Sequence, residues 1–454
     1  MDLNTTNQIE TAGPVAAAER IKTIDIVRGV ALLGLLLMNI TNFGIEGSIF
    51  RTIRSWPHDT ADFRIRAIIR SFFDGTMYGL FAMLFGAGMI LFTRNKKETP
   101  DGVTVAEYYY RRLLWLVLFG IIHAYLIWGG DVLYYYGLAG MLLYPFRKTA
   151  AKWLFLLGIL CIALGIFEGQ LGYIETREKR AAYHEAVKAE KTDKKLTSEQ
   201  QQAKTTWLEI ENRRPDSAIV ERNINRMRSD YGTIFNDRIP GESNGQSWGI
   251  YHSIWSSPLC LMFIGMALFR LGFFSNKLST STYAMALIIG YGIGIPIGLN
   301  IFFSTGGLGL SLGAYVDAYR VQHGALYDFR TLFLCIGHAS LILLVFRSRI
   351  IPWLMKGLAN VGQMAFTNYL MQSIICTLFF YGYGLGYYNH LKYHQLFYVV
   401  GAVWVFQIIF SAIWLRYYRF GPFEWLWRSL TYWKRQPMRL KTSDKKEEKE
   451  NEII

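Results

Sequence analysis

Cysteine is scarce in this chain, which has four cysteines in 454 residues. All four lie inside long apolar stretches, and the sequence contains no C-x-x-C spacing. A disulfide framework needs paired cysteines outside a membrane, so the sequence excludes that kind of scaffold. His390 and His394 are four residues apart but have no obvious third ligand in their connection, and we expect no metal centre.

Charged residues are also sparse, at 18% of the chain, whereas hydrophobic residues make up 52%. The apolar residues are gathered into blocks of about twenty, the length of a helix that crosses a bilayer. The sequence therefore predicts an all-α fold, a polytopic transmembrane helical bundle of about ten spans with one polar helical extramembrane insertion. The predicted spans are residues 24–43, 72–93, 113–128, 132–146, 151–173, 253–271, 281–303, 331–346, 360–386 and 396–416. The fourth is short for a bilayer of about 30 Å.

The formal net charge is +14, and the Lys and Arg residues concentrate in short segments beside the apolar blocks. That placement is typical of membrane proteins, whose positive loops face the cytoplasm and anionic lipid, and it disfavours nucleic-acid binding. If the spans alternate, most basic segments fall on one side of the membrane. Both termini are then expected in the cytoplasm.

The predicted spans divide the chain into four parts. Residues 1–173 form an N-terminal membrane half, residues 250–432 a C-terminal membrane half, and residues 433–454 a charged cytoplasmic tail. Between the halves lies the polar segment 174–249, which is rich in Ala, Glu, Lys and Gln. Its helix propensity is high and its apolar content is low, so we expect one or two exposed extracytoplasmic helices without a core of their own.

One stretch combines an apolar helix with ionisable residues, and its sequence is RRLLWLVLFGIIHAYLIWGGDVLYYY. Arg112 and His123 are eleven residues apart, close to three helical turns, so both side chains face the same way. We expect Arg112 at the membrane interface, His123 at mid-bilayer and Asp131 at the far end of the span. A neutral imidazole can accept a proton, so His123 is a candidate general base. The alternative is a histidine satisfied by one hydrogen bond to a neighbouring helix.

Two other spans carry polar side chains of the same kind. The first opens with Asp25 and Arg28, three residues apart on one helical face, and continues to Asn39. The ninth contains Asn368 and Gln372. Interhelical hydrogen bonds and an interfacial ion pair are one explanation of these residues, and a functional site is the other.

Several segments carry a family resemblance, in the order RIKTIDIVRGVALLGLLLMNI, FAMLFGAG, RRLLWLVLFGIIHAYLIWGGDVLYYYGLAGMLL, VGQMAFTNYLMQSIICTLFFYGYGLGYY and SAIWLRYYRFGPFEWLWRSLTY. As an ordered set they resemble the YeiB-like family of bacterial inner-membrane proteins, whose C-terminal half is a domain of unknown function. The resemblance covers most of the chain apart from residues 174–249. It implies a multi-pass protein of the bacterial cytoplasmic (inner) membrane.

A more distant resemblance concerns chemistry. The opening D-x-x-R-G and the later asparagine, here Asp25, Arg28 and Asn39, are similar to the start of the heparan-glucosaminide acetyltransferase-like proteins. Those proteins pass an acyl group from cytoplasmic acyl-CoA across a membrane. Membrane acyltransferases that O-acylate bacterial surface glycans use an Arg-x10-His pattern, which Arg112 and His123 match in the third span instead of the first.

These resemblances imply a membrane acyltransferase that moves an acyl group from cytoplasmic acyl-CoA to an outward-facing acceptor. The catalytic histidine of the acetyltransferase-like proteins follows the first span, which makes His58 a rival of His123. Acyl-CoA is then a co-substrate and not a permanently bound cofactor. The expected partners are membrane lipid and a small-molecule or glycan acceptor, and the sequence leaves a homo-oligomer open.

Each candidate residue has a role in this hypothesis. The candidate catalytic residues, which act on the acceptor or stabilise the oxyanion, are His123, His58, Asp131 and Asn39. The candidate donor-binding residues are Arg112, Arg111, Arg28 and Asp25. The candidate substrate contacts are Asn368 and Gln372, of which Gln372 is a second candidate donor to the oxyanion.

Two other classes of function compete with an enzyme. A transporter or exporter of a small polar or amphipathic molecule would use the same embedded charges to line a substrate or proton path. The two halves show no inverted repeat of the Arg112 and His123 pattern, which favours the enzyme. A sensor would use residues 174–249 to bind a ligand or a partner.

Overall fold

The computed structural model describes residues 21–47, 57–94, 104–192, 195–211, 217–249, 257–304 and 311–440. Within these ranges the regular secondary structure is helical, which confirms the predicted all-α bundle. The helices up to the insertion are α1 (Lys22–Gly44), α2 (Ala61–Ile68), α3 (Thr76–Thr93), α4 (Val105–Ile122), α5 (Leu133–Met141) and α6 (Ala151–Lys191). Those of the insertion are α7 (Ser198–Glu211), α8 (Ser217–Met227) and α9 (Tyr231–Asn244).

The C-terminal half continues the bundle. Its helices are α10 (Ser257–Arg270), α11 (Thr280–Phe302), α12 (Leu312–Ala318), α13 (Tyr327–Ser348), α14 (Pro352–Gln363), α15 (Ala365–Phe380), α16 (Tyr393–Trp414) and α17 (Pro422–Tyr432). Three single turns of π-helix interrupt or end longer helices, at Ile69–Phe73, His123–Ile127 and Gly245–Gly249.

Seven helical segments of the described residues are long and apolar enough to cross a membrane. They are Lys22–Gly44, Ala61–Thr93, Val105–Ile127, Ala151–Lys191, Thr280–Phe302, His323–Ser348 and Tyr393–Trp414. Two shorter apolar helices, Pro258–Arg270 and Ala365–Phe380, accompany them. The predicted fourth span coincides with α5, which has only nine residues and is too short to cross alone.

The helices differ in how much of their surface is covered. Helix α1 is largely buried, with α3, α14 and α16 among the helices packed around it. Helix α6, in contrast, exposes large apolar side chains along its first turns, including Trp153, Leu160 and Phe167. An apolar stripe of this length facing outward is stable in lipid and would be a liability in water, so α6 lies at the lipid-facing edge of the bundle.

The polar insertion is more structured than its composition indicates. Helix α6 runs through Tyr173 without a break to Lys191, so the insertion begins as a continuation of a span. Three separate helices follow in place of the expected one or two. Its buried Trp207 packs with Tyr173, Tyr315 and Val316, which lie outside residues 174–249, as expected of a segment without a core of its own.

Close helix contacts depend on glycine at α3 and α10. A Cβ added to Gly86 would collide with the Met262 carbonyl, and a Cβ added to Gly265 would collide with the Met83 carbonyl. Gly88, two residues further along α3, has open space at the same position. Small residues let backbones approach in membranes, where dispersion contacts drive helix association.

These two glycines provide a matched test of the bundle. Gly86→Ala should lower the free energy of unfolding by about 1–3 kcal/mol, because the α10 backbone has to move. Gly88→Ala should be neutral or slightly stabilising, because alanine favours helix and meets no neighbour. Thermal unfolding of both variants in one detergent checks this, and equal midpoints would contradict the packing.

Candidate functional site

The centre of the candidate site is the point where α4 ends. The α-helix stops at Ile122, and His123–Ile127 forms a π turn that aims the His123 side chain into the bundle. The chain is extended at Trp128, and Gly129 and Gly130 follow before α5 begins at Leu133. His123 therefore lies where the regular α-helix ends, within the apolar span Val105–Ile127. Single π turns of this kind occur frequently at functional sites.

Three buried side chains form a hydrogen-bonded series at this turn. His123 Nδ1 lies 2.8 Å from Asp131 Oδ1, and His123 Nε2 lies 2.9 Å from Ser373 Oγ. The exposed fractions are 1% for His123, 7% for Asp131 and 2% for Ser373. The structure thus brings two predicted residues together and adds a third from α15, 250 positions away. We call His123, Asp131 and Ser373 the relay.

The protons of the relay follow from what each group can donate. An ionised carboxylate only accepts hydrogen bonds, so the Asp131 contact assigns the imidazole proton to Nδ1. Nε2 then carries the lone pair and accepts a hydrogen bond from the Ser373 hydroxyl. A carboxylate, an imidazole and a hydroxyl in this order is the arrangement that activates a hydroxyl for acyl transfer.

The loop that carries Asp131 is fixed by its surroundings. Asp131 Oδ2 accepts from the Tyr134 amide at 2.8 Å. The Tyr369 hydroxyl accepts from the Val132 amide at 3.2 Å and donates to the Gly130 carbonyl. Gly120 has no side chain, and a Cβ there would crowd both Asp131 Oδ2 and the Tyr134 amide. The approach of Asp131 to α4 therefore requires glycine at position 120.

The end of the insertion covers the relay, and we call α9 with the following π turn the cover. The Tyr231 hydroxyl donates to the Leu126 carbonyl at 2.7 Å, and Arg238 donates to the Tyr125 carbonyl at 3.3 Å. In the other direction, Tyr134 and Tyr135 donate to carbonyls of the π turn that ends the cover. Beside these polar contacts, Ile234 of the cover is buried in a hydrophobic cluster that includes Trp128 and Tyr381.

Glu242 is a titratable residue of the cover, and it lies close enough to the relay to interact electrostatically with Asp131. A Cβ at Gly129 would touch its carboxylate, which places the group directly over the Gly129–Gly130 break. Burial raises the pKa of Glu242 to about 7, with the negative Asp131 adding to the rise and Arg238 opposing it. The carboxyl group is therefore neutral in mildly acidic solution and becomes charged above neutral pH.

The predicted donor-binding residues lie together about two turns into α4, on the N-terminal side of His123, in a region that we call the arginine side. Arg28 and Asp25 form a 2.7 Å ion pair at the start of α1. Arg28 is close enough to Arg112 for their positive charges to repel each other. The Arg112 guanidinium lies 3.9 Å from the centre of the Trp427 ring, and Arg111 donates to the Thr431 carbonyl. Helix α17 thus packs over the two arginines of α4.

The other predicted residues have different surroundings. Asn39 is buried and accepts a hydrogen bond from the Tyr78 hydroxyl. His58 is exposed and stacks on Phe63, with ring centres 4.4 Å apart, outside the relay. Among the described residues, no group of three or more His, Cys, Asp or Glu side chains has the geometry to hold a metal ion.

Asn368 and Gln372 face α16 and α1, away from the relay. The Asn368 side-chain amide donates to Ser411 Oγ at 2.9 Å, and Gln407 donates to the Asn368 backbone carbonyl. The Gln372 amide donates to Gln407 Oε1 and to the Leu32 carbonyl. Both predicted substrate contacts are thus part of a network that joins helices.

Sequence reasoning missed two residues of α15, Ser373 of the relay and Tyr369, which bonds to the loop that carries Asp131. The two are four residues apart and therefore lie on one helical face, beside but distinct from the face of Asn368 and Gln372. Their spacing was visible in the sequence, but two polar pairs on one helix gave no indication of which pair meets His123. A serine inside an apolar span is in addition too common to stand out.

Comparison with known proteins gives consistent matches along the chain. A family model described as "Protein of unknown function (DUF418)" matches residues 268–434. "Uncharacterized protein YeiB" of Escherichia coli (strain K12) is 32% identical over 443 residues, which cover 94% of this chain and 100% of that protein. "Uncharacterized protein YxaH" of Bacillus subtilis (strain 168) is 28% identical over 448 residues, 94% of this chain and 98% of that protein. No solved structure matches.

The cover should respond to pH through Glu242. The pKa of Glu242 rises from 4.5 to about 7 on folding. Its contribution to the stability of the folded cover is therefore fully present below pH 4.5 and is lost as the pH rises through about 7. Amide hydrogen exchange in residues 231–249, corrected for its intrinsic pH dependence, should therefore be faster at about pH 8 than at about pH 5. In Glu242→Gln the corrected rates should be equal, and a pH response that persists in this variant would assign it to another group.

Proposed function

The chain belongs to the YeiB-like family of membrane proteins, and from the relay we propose that it is a membrane acyltransferase that uses acyl-CoA as the donor. The observation that carries the proposal is the buried series Asp131, His123 and Ser373, with contacts of 2.8 and 2.9 Å. Polar groups at this depth are costly, and each is held by hydrogen bonds that also set its proton.

The arrangement of charges supports a donor that enters from the arginine side. CoA carries several phosphate groups, and guanidinium groups bind phosphates with charge-assisted hydrogen bonds. In the proposal, Arg28 and Arg112 hold these phosphates, and the flexible arm of CoA extends along α4. The rise from Arg112 to His123 is roughly 16 Å along a helix axis, a distance that such an arm can bridge.

The direction of transfer follows from the distribution of basic residues. By the positive-inside rule the arginine side faces the cytoplasm, where acyl-CoA is made, and both termini lie there. The insertion then faces away from the cytoplasm, in bacteria from the inner membrane outward. The acceptor, a hydroxyl or amine of a small molecule or glycan, reaches the relay from that side once the cover opens.

The proposed reaction uses catalytic groups that the relay already contains. His123 Nε2 accepts a proton from the attacking group while Asp131 stabilises the imidazolium that forms. The acceptor's hydroxyl or amine adds to the thioester carbonyl, and the thiol of CoA leaves with the proton that His123 returns. With the cover closed, water is excluded, so the thioester is protected from hydrolysis between turnovers.

Replacing His123 tests the general base. His123→Gln should reduce acyl transfer by about a hundred-fold to ten-thousand-fold, measured as CoA thiol release from acetyl-CoA or palmitoyl-CoA by protein in vesicles with glucosamine and glycerol as model acceptors. His338→Gln removes another buried imidazole, one that bonds to Tyr291 and the Phe72 carbonyl, and should retain transfer. His58→Ala should also retain it, and loss of transfer in His58→Ala alone would make His58 the base.

Donor binding can be tested separately from chemistry. Acetyl-CoA or palmitoyl-CoA at about 100 times its Kd should stabilise the folded protein by about 2.7 kcal/mol, seen as a higher Tm. Arg112→Ala should lose this shift. Arg347→Ala is the matched control, because Arg347 also lies over an aromatic ring, that of Tyr283 at 4.7 Å, and it should keep the shift. A full shift in Arg112→Ala would exclude the arginine side as the donor site.

A further inference from the structure

We propose that Ser373 is the first acceptor of the acyl group and carries it as a covalent ester. The inference rests on the proposed function, and it adds a step that the general-base role of His123 does not require. In place of direct transfer, the reaction proceeds through two half-reactions that share one imidazole.

Geometry distinguishes Ser373 from other buried hydroxyls of the bundle. Its Oγ lies 2.9 Å from His123 Nε2, the nitrogen of that imidazole that can accept a proton, within the range for a nucleophile and its base. Ser411 Oγ instead accepts from the Asn368 amide, and Thr377 Oγ1 donates to the Ile374 carbonyl. A histidine meant only to activate an incoming acceptor would keep Nε2 open to it, whereas here the serine already occupies that position.

The crowding of the relay supports the same conclusion. His123, Asp131 and Ser373 are each at most 7% exposed, so there is little room for a thioester and an acceptor at the same time. Donor and acceptor also approach the relay from opposite sides in the proposed function. A covalent carrier allows the donor to leave before the acceptor arrives.

The two half-reactions balance without an additional reagent. In the first, Ser373 Oγ attacks the thioester carbonyl, His123 Nε2 takes the hydroxyl proton, the carbon–sulfur bond breaks, and the CoA thiolate leaves with that proton. In the second, an acceptor hydroxyl gives its proton to Nε2 and attacks the serine ester. The ester bond to Ser373 breaks, and His123 returns the proton to Oγ.

The experiment is single-turnover labelling with donor alone. Purified protein in vesicles is mixed with acetyl-CoA or palmitoyl-CoA that carries a radiolabel in the acyl group, without an acceptor. We expect a burst of free CoA thiol and label that stays on the denatured protein, in the peptide that contains Ser373. Addition of glucosamine or glycerol should then remove the label from the protein.

Variants separate this inference from the proposed function and from misfolding. Ser373→Ala should lose the label and should reduce transfer by about a thousand-fold or more. Ser411→Ala loses a buried hydroxyl beside the same helix and should be labelled like the wild type. Ser373→Cys, which keeps a nucleophile of similar size, should still take up label, as a thioester.

The outcomes lead to different conclusions. Label on Ser373 that requires His123 supports the covalent carrier. Transfer to an acceptor without label on the protein, or full transfer by Ser373→Ala, would overturn the carrier and leave direct attack assisted by His123. A wild-type protein that releases no CoA thiol with either donor would overturn the acyltransferase itself, and the carrier with it.

Discussion

The hydrogen bond between His123 and Asp131 is the interaction on which the candidate site depends. This bond joins the π turn that follows α4 to the loop before α5. The same imidazole contacts Ser373 of α15 through Nε2. Leaving a buried donor or acceptor without its partner costs about 1–3 kcal/mol, and more where the group is charged. The π turn, the glycines after it and the tyrosine contacts to the loop all serve to keep this one carboxylate satisfied.

Other buried polar side chains of the bundle form hydrogen bonds between helices. A helix satisfies its own backbone in lipid, so side chains carry the remaining polar contacts between helices. Side-chain hydrogen bonds join α15 to α1 and α16, and they come from Asn368, Gln372 and Gln407. The consequence is that α15 is held rigidly on one face and presents Tyr369 and Ser373 in fixed positions on another.

Much of the architecture could be predicted from the sequence, because apolar length and basic flanks are local properties. The spacing of Arg112 and His123 predicts a shared helical face, and the structure places the donor candidates Arg28 and Arg112 near each other. Tertiary pairing could not be predicted in this way. Ser373 is 250 residues from His123, and Glu242 belongs to a segment whose composition indicates only solvent exposure.

The arginine side and the relay are separated along α4, and a transfer across a membrane requires that such a site is never open to both sides at once. A site open to both sides at once would let water or acceptor reach the donor thioester and hydrolyse it. Here α17 packs on the arginines, and α9 lies over the relay. If α17 and α9 move aside at different times, the acyl group has to be retained at the relay between the two openings. The Ser373 hydroxyl, bonded to His123, is the group in the relay that can retain the acyl group covalently. The proposed ester on Ser373 therefore explains how α17 and α9 can open the site at different times.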